Sequence, residues 1–137
     1  MTRLRSLAAV LLPALMAFAL AACAATATGT RGGATGPADG DRFSLAPGAM
    51  VTLPGEGTLR YARLVDDSRC MPDVQCVWAG DAEVAFEWRP TRGGTDAFSL
   101  HTGKGDKSHR IGRHLLVLAG LERGVAPEAQ LTLEAAP

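Results

Sequence analysis

Short segments in which apolar and polar residues alternate run through most of this chain. The clearest segment places Val84, Phe86 and Trp88 on one face and Glu83 and Glu87 on the other. Successive side chains of a strand point to opposite faces of a sheet, so a period of two predicts a strand with one buried and one solvated face.

The same pattern predicts further short strands, which Gly, Pro and Asp separate at close intervals. A hairpin is predicted across Ala46-Pro47-Gly48, and a bulge at Leu64 and Val65. About seven such strands predict an all-β fold, a small antiparallel β-sandwich or barrel-like domain. The other predicted strands are marked by Phe43 and Leu45, Val51 and Leu53, Leu59 and Tyr61, Phe98 and Leu100, Ile111 to Leu118, and Leu131 and Leu133.

One stretch also fits a helix, because leucines recur between Arg113 and Leu121. Gly112 and Gly120 bracket this stretch, and it is short for a stable helix. A strand is therefore preferred here, with the helix as the alternative.

The first residues form a different pattern. Arg3 and Arg5 precede an apolar run from Leu7 to Leu20, and Cys23 follows. The run is shorter than the roughly 20 residues that a membrane-spanning helix needs. Leu20-Ala21-Ala22-Cys23 resembles the lipobox of bacterial lipoproteins. The alternative is an ordinary secretory signal cut after Ala21 or Ala24, since both positions end an Ala-x-Ala triplet.

The lipoprotein resemblance implies cleavage before Cys23 and attachment of lipid, palmitate included, to that cysteine. Multiple acyl chains make such an attachment stable. Because Ala24 stands where inner-membrane lipoproteins often have Asp, the expected location is the periplasmic face of the outer membrane in a Gram-negative cell envelope. The predicted organisation is a signal peptide (1–22), a lipidated cysteine and flexible tether (23–41), and a β domain (42–137).

Charge argues against one class of partner. Removal of residues 1–22 leaves 115 residues, a single domain by size, with 12 basic and 14 acidic side chains and a net charge of −2. Nucleic-acid-binding domains carry a basic excess, so no nucleic acid partner is expected.

With Cys23 lipidated, Cys70 and Cys76 remain as an even pair in an oxidising compartment. A disulfide between them is the expectation. Closing so short a loop stabilises a domain by roughly 2 to 2.5 kcal/mol in the chain-entropy model.

The residues around this pair form a second motif, Asp-Ser-Arg-Cys followed by Cys-x-Trp-Ala-Gly, at positions 67–80. The motif resembles one found in small exported bacterial proteins and lipoproteins of uncharacterised function. In many of those proteins proline directly follows the first cysteine, whereas here Met71 intervenes before Pro72. We expect this insertion of Met71 to alter the turn between the two cysteines but not their pairing.

Two interpretations of the segment stay open. In the structural one, Pro72-Asp73 forms a turn, Arg69 binds a carboxylate in a forked geometry and Trp78 packs beside the disulfide. In the functional one, the segment is a binding loop presented by a rigid sheet, and its contact residues are Arg69, Asp73, Gln75 and Trp78. A redox role is disfavoured because the Cys-x-x-Cys spacing is missing.

No catalytic residue, metal site or cofactor is assigned. His101, His109 and His114, with Met50 and Met71 as soft ligands, raise a copper hypothesis, but His109 and His114 would face opposite sides of one strand. Ser68 and Ser99 lack a nucleophile-elbow context.

The expected function is that of a membrane-anchored envelope lipoprotein, a non-enzymatic binding or structural module. Its expected partner, besides the membrane, is another envelope protein or polymer. The alternative is a periplasmic copper carrier or an accessory enzyme domain.

Overall fold

A computed structural model describes residues 36–137, so Cys23 and the rest of the predicted signal and tether up to residue 35 lie outside the described range. Within that range all regular structure is β, as predicted, and no helix is present that could cross a membrane. The eight strands are β1 Arg42–Leu45, β2 Met50–Leu53, β3 Gly57–Asp67, β4 Ala82–Arg89, β5 Asp96–His101, β6 Ser108–Ile111, β7 His114–Leu121 and β8 Ala129–Ala135.

The strands form two antiparallel sheets of four, with orders β2-β3-β4-β5 in the first sheet and β1-β8-β7-β6 in the second. Consecutive strands pair except at the steps from β1 to β2 and from β5 to β6, and β8 pairs back with β1. The fold is therefore a sandwich of two open antiparallel sheets, and the second sheet is completed by the pairing of the first strand with the last.

The core lies between the two sheets and follows from the alternation along each strand. On β4, Val84 and Phe86 are buried while the residues between them are only half-buried, and on β8 the buried residues are Leu131 and Leu133. Each large apolar side chain buried in this way contributes roughly 1.5 to 3 kcal/mol. The whole buried cluster consists of Leu45, Leu53, Leu59, Tyr61, Val84, Phe86, Leu100, Ile111, Leu116, Leu118, Ala129, Leu131 and Leu133.

The predicted hairpin across Ala46-Pro47-Gly48 is wrong, because β1 and β2 belong to different sheets. The chain does turn there. Gly48 adopts a positive φ of 81°, which glycine tolerates, and its N–H donates to the carbonyl of Tyr61 at 2.7 Å. The local sequence specifies a reversal, while the sheet that each flanking strand joins is decided by the core.

The helical alternative between Arg113 and Leu121 is also wrong. His114–Leu121 is strand β7, which pairs with β6 on one side and β8 on the other. The bulge predicted near Leu64 and Val65 is confirmed, since the register of β3 against β4 shifts between Leu64 and Asp66.

At the step from β5 to β6, side chains replace the missing strand pairing. His109 Nε2 lies 2.8 Å from Asp96 Oδ2, and its ring stacks on Phe98 with centroids 3.8 Å apart. Asp96 and Phe98 lie on the edge strand of the first sheet, and His109 lies on the edge strand of the second. This contact closes one side of the sandwich.

The alternating strand directions put the turns 54–56, 90–95 and 112–113 at one end of the sandwich, here named the Glu56 end. Glu56 is the buried charged residue there. Its carboxylate accepts hydrogen bonds from the backbone N–H of Arg113 at 3.2 Å and from His114 Nδ1 at 3.2 Å, and its carbonyl accepts one from Trp88 Nε1 at 2.9 Å. A turn of the first sheet is thereby bonded to a turn of the second.

The surroundings of this carboxylate depend on a glycine. Gly112 has a positive φ of 58°, and a Cβ there would overlap the carboxylate of Glu56. Burial alone would raise the pKa of Glu56, but the hydrogen bonds from Arg113 and the charge and hydrogen bond of His114 outweigh it and lower that pKa below its ordinary value of 4.5. The ionised form is thus the one that the fold stabilises.

Replacing Glu56 with Gln removes this charge and weakens the bonds to Arg113 and His114. We expect the free energy of unfolding at neutral pH to fall by about 1 to 3 kcal/mol. The partly exposed pair Arg60–Glu87, 3.4 Å apart, offers a control, since Glu87→Gln should cost less than about 1 kcal/mol. Urea unfolding of the three proteins measures both effects.

The sign of the pH dependence adds a second check on Glu56. A carboxyl group with a lowered pKa stabilises the fold above its unfolded pKa, and this contribution is lost as the pH falls through the folded value. The gap between wild type and Glu56→Gln should therefore narrow when unfolding is measured near about pH 3. A gap that stays constant would contradict the assignment.

Candidate binding loop

The end of the sandwich opposite Glu56 is formed by the connections 68–81, 102–107 and 122–128. The first of these, here named the cysteine loop, contains the disulfide predicted between Cys70 and Cys76, with Cα atoms 6.0 Å apart. Within the bridged segment the N–H of Val74 donates to the carbonyl of Met71 at 3.1 Å, which is the predicted turn centred on Pro72-Asp73. Both of these structural expectations are confirmed.

The base of the cysteine loop continues the direction of β3 and β4. The N–H of Ser68 donates to the carbonyl of Asp81 at 2.8 Å, and that of Cys70 donates to the carbonyl of Ala79 at 2.9 Å. Gly80 has a positive φ of 74°, and any Cβ there would overlap the backbone of Ser68. The loop therefore leaves the sheet as a narrow, hydrogen-bonded neck.

Arg69 fastens this neck to the second sheet. Its guanidinium binds Asp67 in the predicted forked geometry, at 2.8 and 2.6 Å, and also donates to the carbonyls of Leu121 at 2.6 Å and Glu122 at 2.8 Å. The hydrogen bonds from Arg69 lower the pKa of Asp67. Only 11% of the Arg69 side chain is exposed, so this residue serves as an anchor inside the protein.

A second arginine reaches the loop from the other direction. Arg123, in the connection between β7 and β8, donates to the carbonyl of Cys70 at 2.7 Å. The two arginines thus link the cysteine loop and the 122–128 connection reciprocally, each donating to backbone carbonyls of the other segment. Carbonyl acceptors of this kind hold the backbone itself in place.

Asp81 fastens the far side of the neck. Its carboxylate contacts His101 Nδ1 at 2.7 Å and accepts hydrogen bonds from the N–H of Gly103 at 2.7 Å and the hydroxyl of Thr102 at 3.2 Å. Burial would raise the pKa of Asp81, but these partners lower it. The connection 102–107 is thereby joined to the loop, and its Lys104 Nζ lies 5.4 Å from the ring centroid of Trp78.

Large apolar side chains project into solvent at this end of the sandwich, which carries the cysteine loop. Seven large apolar residues in the described range are exposed, and five of them lie here. The exposed fractions are 67% for Met71, 53% for Val74, 101% for Val77, 57% for Trp78 and 107% for Val125. We name these five residues the apolar patch.

The structure places the predicted contact residues of the loop in different environments. Asp73 and Gln75 are exposed, and Trp78 is more than half exposed, so it is not enclosed against the disulfide as the structural interpretation expected. Arg69 is turned inward. The sequence analysis did not include Val77 among the contact residues. Its place beside Trp78, in a segment without the alternation of a strand, could have indicated an exposed apolar residue.

Val125 was also missed, and the sequence held little to indicate it. It lies 49 positions beyond Cys76 in a connection of its own. The hydrogen bonds of Arg69 and Arg123 bring that connection against the cysteine loop.

The three histidines lie apart, each beside a different carboxylate. His101 contacts Asp81, His109 contacts Asp96, and His114 lies between Glu56 at 3.2 Å and Asp39 at 3.3 Å. Across residues 36–137 no group of three or more His, Cys, Asp or Glu side chains could hold a metal ion. In these positions the histidines connect elements of the fold.

Two shallow depressions mark the first sheet. One, of about 410 Å³, lies on its outer face among Ala62, Ala85, Ala97 and Ser99, and the other, of about 380 Å³, lies beside Gly55 at the Glu56 end. Neither is lined by a histidine or a cysteine. The exposed large apolar side chains lie instead mostly at the cysteine-loop end.

No protein-family model, curated protein or solved structure significantly matches this chain. The candidate site is therefore interpreted from its own geometry.

Replacing Arg69 with Ala should free the cysteine loop from the second sheet. We expect amide hydrogen exchange across residues 68–81 to accelerate at least about tenfold and stability to fall by about 1 to 3 kcal/mol, because the carbonyls of Leu121 and Glu122 and the carboxylate of Asp67 lose a largely buried donor. Arg110→Ala is the matched control, since Arg110 is exposed and, among residues 36–137, its side chain donates to a single acceptor, the carbonyl of Pro137 at 3.2 Å. Unchanged exchange in the loop of Arg69→Ala would contradict the anchoring role.

Proposed function

We propose that this chain is a membrane-anchored envelope lipoprotein and that it acts as a non-enzymatic binding module through its apolar patch. The observation that carries the proposal is the concentration of five exposed large apolar side chains at one end of the sandwich. Large exposed apolar patches on soluble domains commonly mark interaction sites.

The fastening supports binding in energetic terms. A loop that is already ordered loses little conformational entropy when a partner docks, so more of the apolar burial is retained as affinity. Here the disulfide, Arg69, Arg123 and Asp81 each restrain the loop that carries four of the five patch residues.

The packing of Gly36 and Asp39, which follow most of the predicted tether, is compatible with the same proposal. Gly36 lies at the Glu56 end, so close to the carbonyl of Thr52 that a Cβ would overlap it, and Asp39 contacts His114 at that end. A lipid on Cys23 would hold the domain by this end. The apolar patch, at the other end, would then be available to another component of the envelope.

A protein partner fits the patch better than a polysaccharide. Sugar-binding surfaces combine aromatic faces with several polar groups, whereas Met71, Val74, Val77 and Val125 are aliphatic or thioether side chains. Such side chains, with one tryptophan, suit the apolar core of a protein interface. No arrangement of the histidines favours the alternative of a copper carrier or accessory enzyme.

Replacing Cys23 with Ser tests the anchor. Thioether attachment needs the sulfur, so we expect the variant to lose incorporation of radiolabelled palmitate and to leave the membrane fraction or remain unprocessed. The double variant Cys70→Ser, Cys76→Ser is the control, since it should keep the label. Palmitate in Cys23→Ser would show that lipid is attached elsewhere.

A photo-crosslinking amino acid at position 77 tests the binding surface in intact cells. We expect discrete adducts from Val77, and fewer when Val125→Asp places a charge in the patch, because burial of an unpaired carboxylate is costly. The matched control is the same probe at Thr91, an exposed position in the turn 90–95 at the Glu56 end. Equal adducts from both positions, or none from position 77, would refute a role for the patch.

A further inference from the structure

The depression of the first sheet at the Glu56 end is lined by one arginine and three threonines. Thr52 of β2, Thr58 of β3 and Arg89 of β4 occupy one cross-strand row there, because Thr52 pairs with Thr58 and Thr58 pairs with Arg89. Side chains in such a row point to the same face, with neighbouring Cβ atoms roughly 5 Å apart. Thr91, in the turn that follows β4, adds the third hydroxyl.

The charge that lines this depression is of one sign. Arg89 is exposed and, in the described part of the chain, forms no ion pair within 4.0 Å. None of the described residues that line the depression is acidic. The depression on the outer face differs in this respect, because Arg63 and Glu87 both line it. A guanidinium without a carboxylate partner, among hydroxyl donors, favours an anionic ligand.

Two glycines leave room for such a ligand beside Arg89. Gly55 and Gly57 line the depression with positive φ values of 78° and 109°, which disfavour any residue with a Cβ. At Gly57 a Cβ would also overlap the carbonyl of Arg89. The volume of about 380 Å³ lies within the roughly 300 to 1,000 Å³ of small-molecule sites.

A second guanidinium lies at the rim of the depression. Arg113 Nη2 is 4.0 Å from the position that a Cβ on Gly55 would occupy, and 85% of the Arg113 side chain is exposed. Its Nε lies 3.5 Å from the carboxylate of Glu56, which offsets part of its charge. What remains of that charge adds to the positive potential of Arg89.

We infer that this depression binds a phosphate group, and that the guanidinium of Arg89 and the hydroxyls of Thr52, Thr58 and Thr91 are its donors. A phosphate offers at least three acceptor oxygens to these donors, whereas a carboxylate offers two. The inference is independent of the apolar patch and of the binding role proposed for it.

Membrane lipids and soluble compounds both carry phosphate groups. Gly36 packs against the carbonyl of Thr52, on a strand that contributes to the site. The twelve residues 24–35 separate it from Cys23, a distance of at most roughly 45 Å for a fully extended chain. A lipid on Cys23 would therefore keep the site within reach of phosphate-bearing headgroups.

The test records amide NMR spectra of the full-length chain in detergent while sodium phosphate is added. We expect saturable shifts at Thr52, Thr58 and Thr91, and at least about fivefold weaker binding of sodium acetate at the same ionic strength. Arg89→Ala should weaken phosphate binding at least about fivefold. Arg63→Ala removes an exposed arginine from the same sheet and should leave binding unchanged.

A second variant tests the hydroxyls. Thr58→Val keeps the shape of the side chain and removes one donor, so we expect phosphate binding to weaken about twofold or more. Thermal unfolding of each variant checks that the fold is intact. Acetate binding as tight as phosphate binding, or unchanged phosphate binding in Arg89→Ala, would overturn the inference.

Nanodiscs distinguish the two sources of phosphate. The lipidated chain is reconstituted into phosphatidylglycerol discs without free phosphate, and the same amides are compared in wild type and Arg89→Ala. Shifts that depend on Arg89 in the discs alone identify a lipid headgroup, and shifts that require added sodium phosphate identify a soluble ligand. The absence of both overturns the site and leaves the role of the apolar patch untouched.

Discussion

The alignment of the two sheets depends on the buried carboxylate of Glu56. Apolar faces attract each other without directional preference, so core packing alone allows two sheets to slide past one another. The bonds from Glu56 to the N–H of Arg113 and to His114 fix one position, because a shift by one residue would leave an ionised group buried without donors. Gly112 leaves the space that this carboxylate occupies.

At the opposite end a charged side chain again joins the two sheets, but there it is a cation. There the cation of Arg69 bonds to Asp67 on its own sheet and to the carbonyls of Leu121 and Glu122 on the other. The sandwich is thus bonded across its sheets at both ends, while His109 on Phe98 closes the side between them. Each of these contacts joins segments that the strand pairing leaves separate, and the one formed by Arg69 holds the base of the cysteine loop against the second sheet.

Features that depend on neighbouring residues could be predicted from the sequence, whereas contacts between residues far apart in the sequence could not. Alternation on β4 identified its buried face, and the even cysteine pair identified the disulfide. The role of Glu56 could not be predicted, because Arg113 and His114 lie 57 and 58 positions away.

The assignment of Arg69 shows the same limit for the candidate site. Its forked bond to Asp67, two residues away, was predictable. Its bonds to the carbonyls of Leu121 and Glu122 were not, because a backbone acceptor leaves no trace in the sequence. The interpretation of this segment as a binding loop placed Arg69 against a ligand, whereas its longer contacts turn it inward.

Restraint also explains how a small domain keeps such a patch in water. An unrestrained loop carrying Val74, Val77 and Trp78 would lower its free energy by folding those side chains back against the edge of the core. The bridge from Cys70 to Cys76 and the bond from Arg123 to the carbonyl of Cys70 remove the backbone freedom that this collapse requires. The apolar surface is consequently covered only when another molecule docks on it. The free energy of burying these side chains, which the loop cannot gain by folding back, is then gained on association.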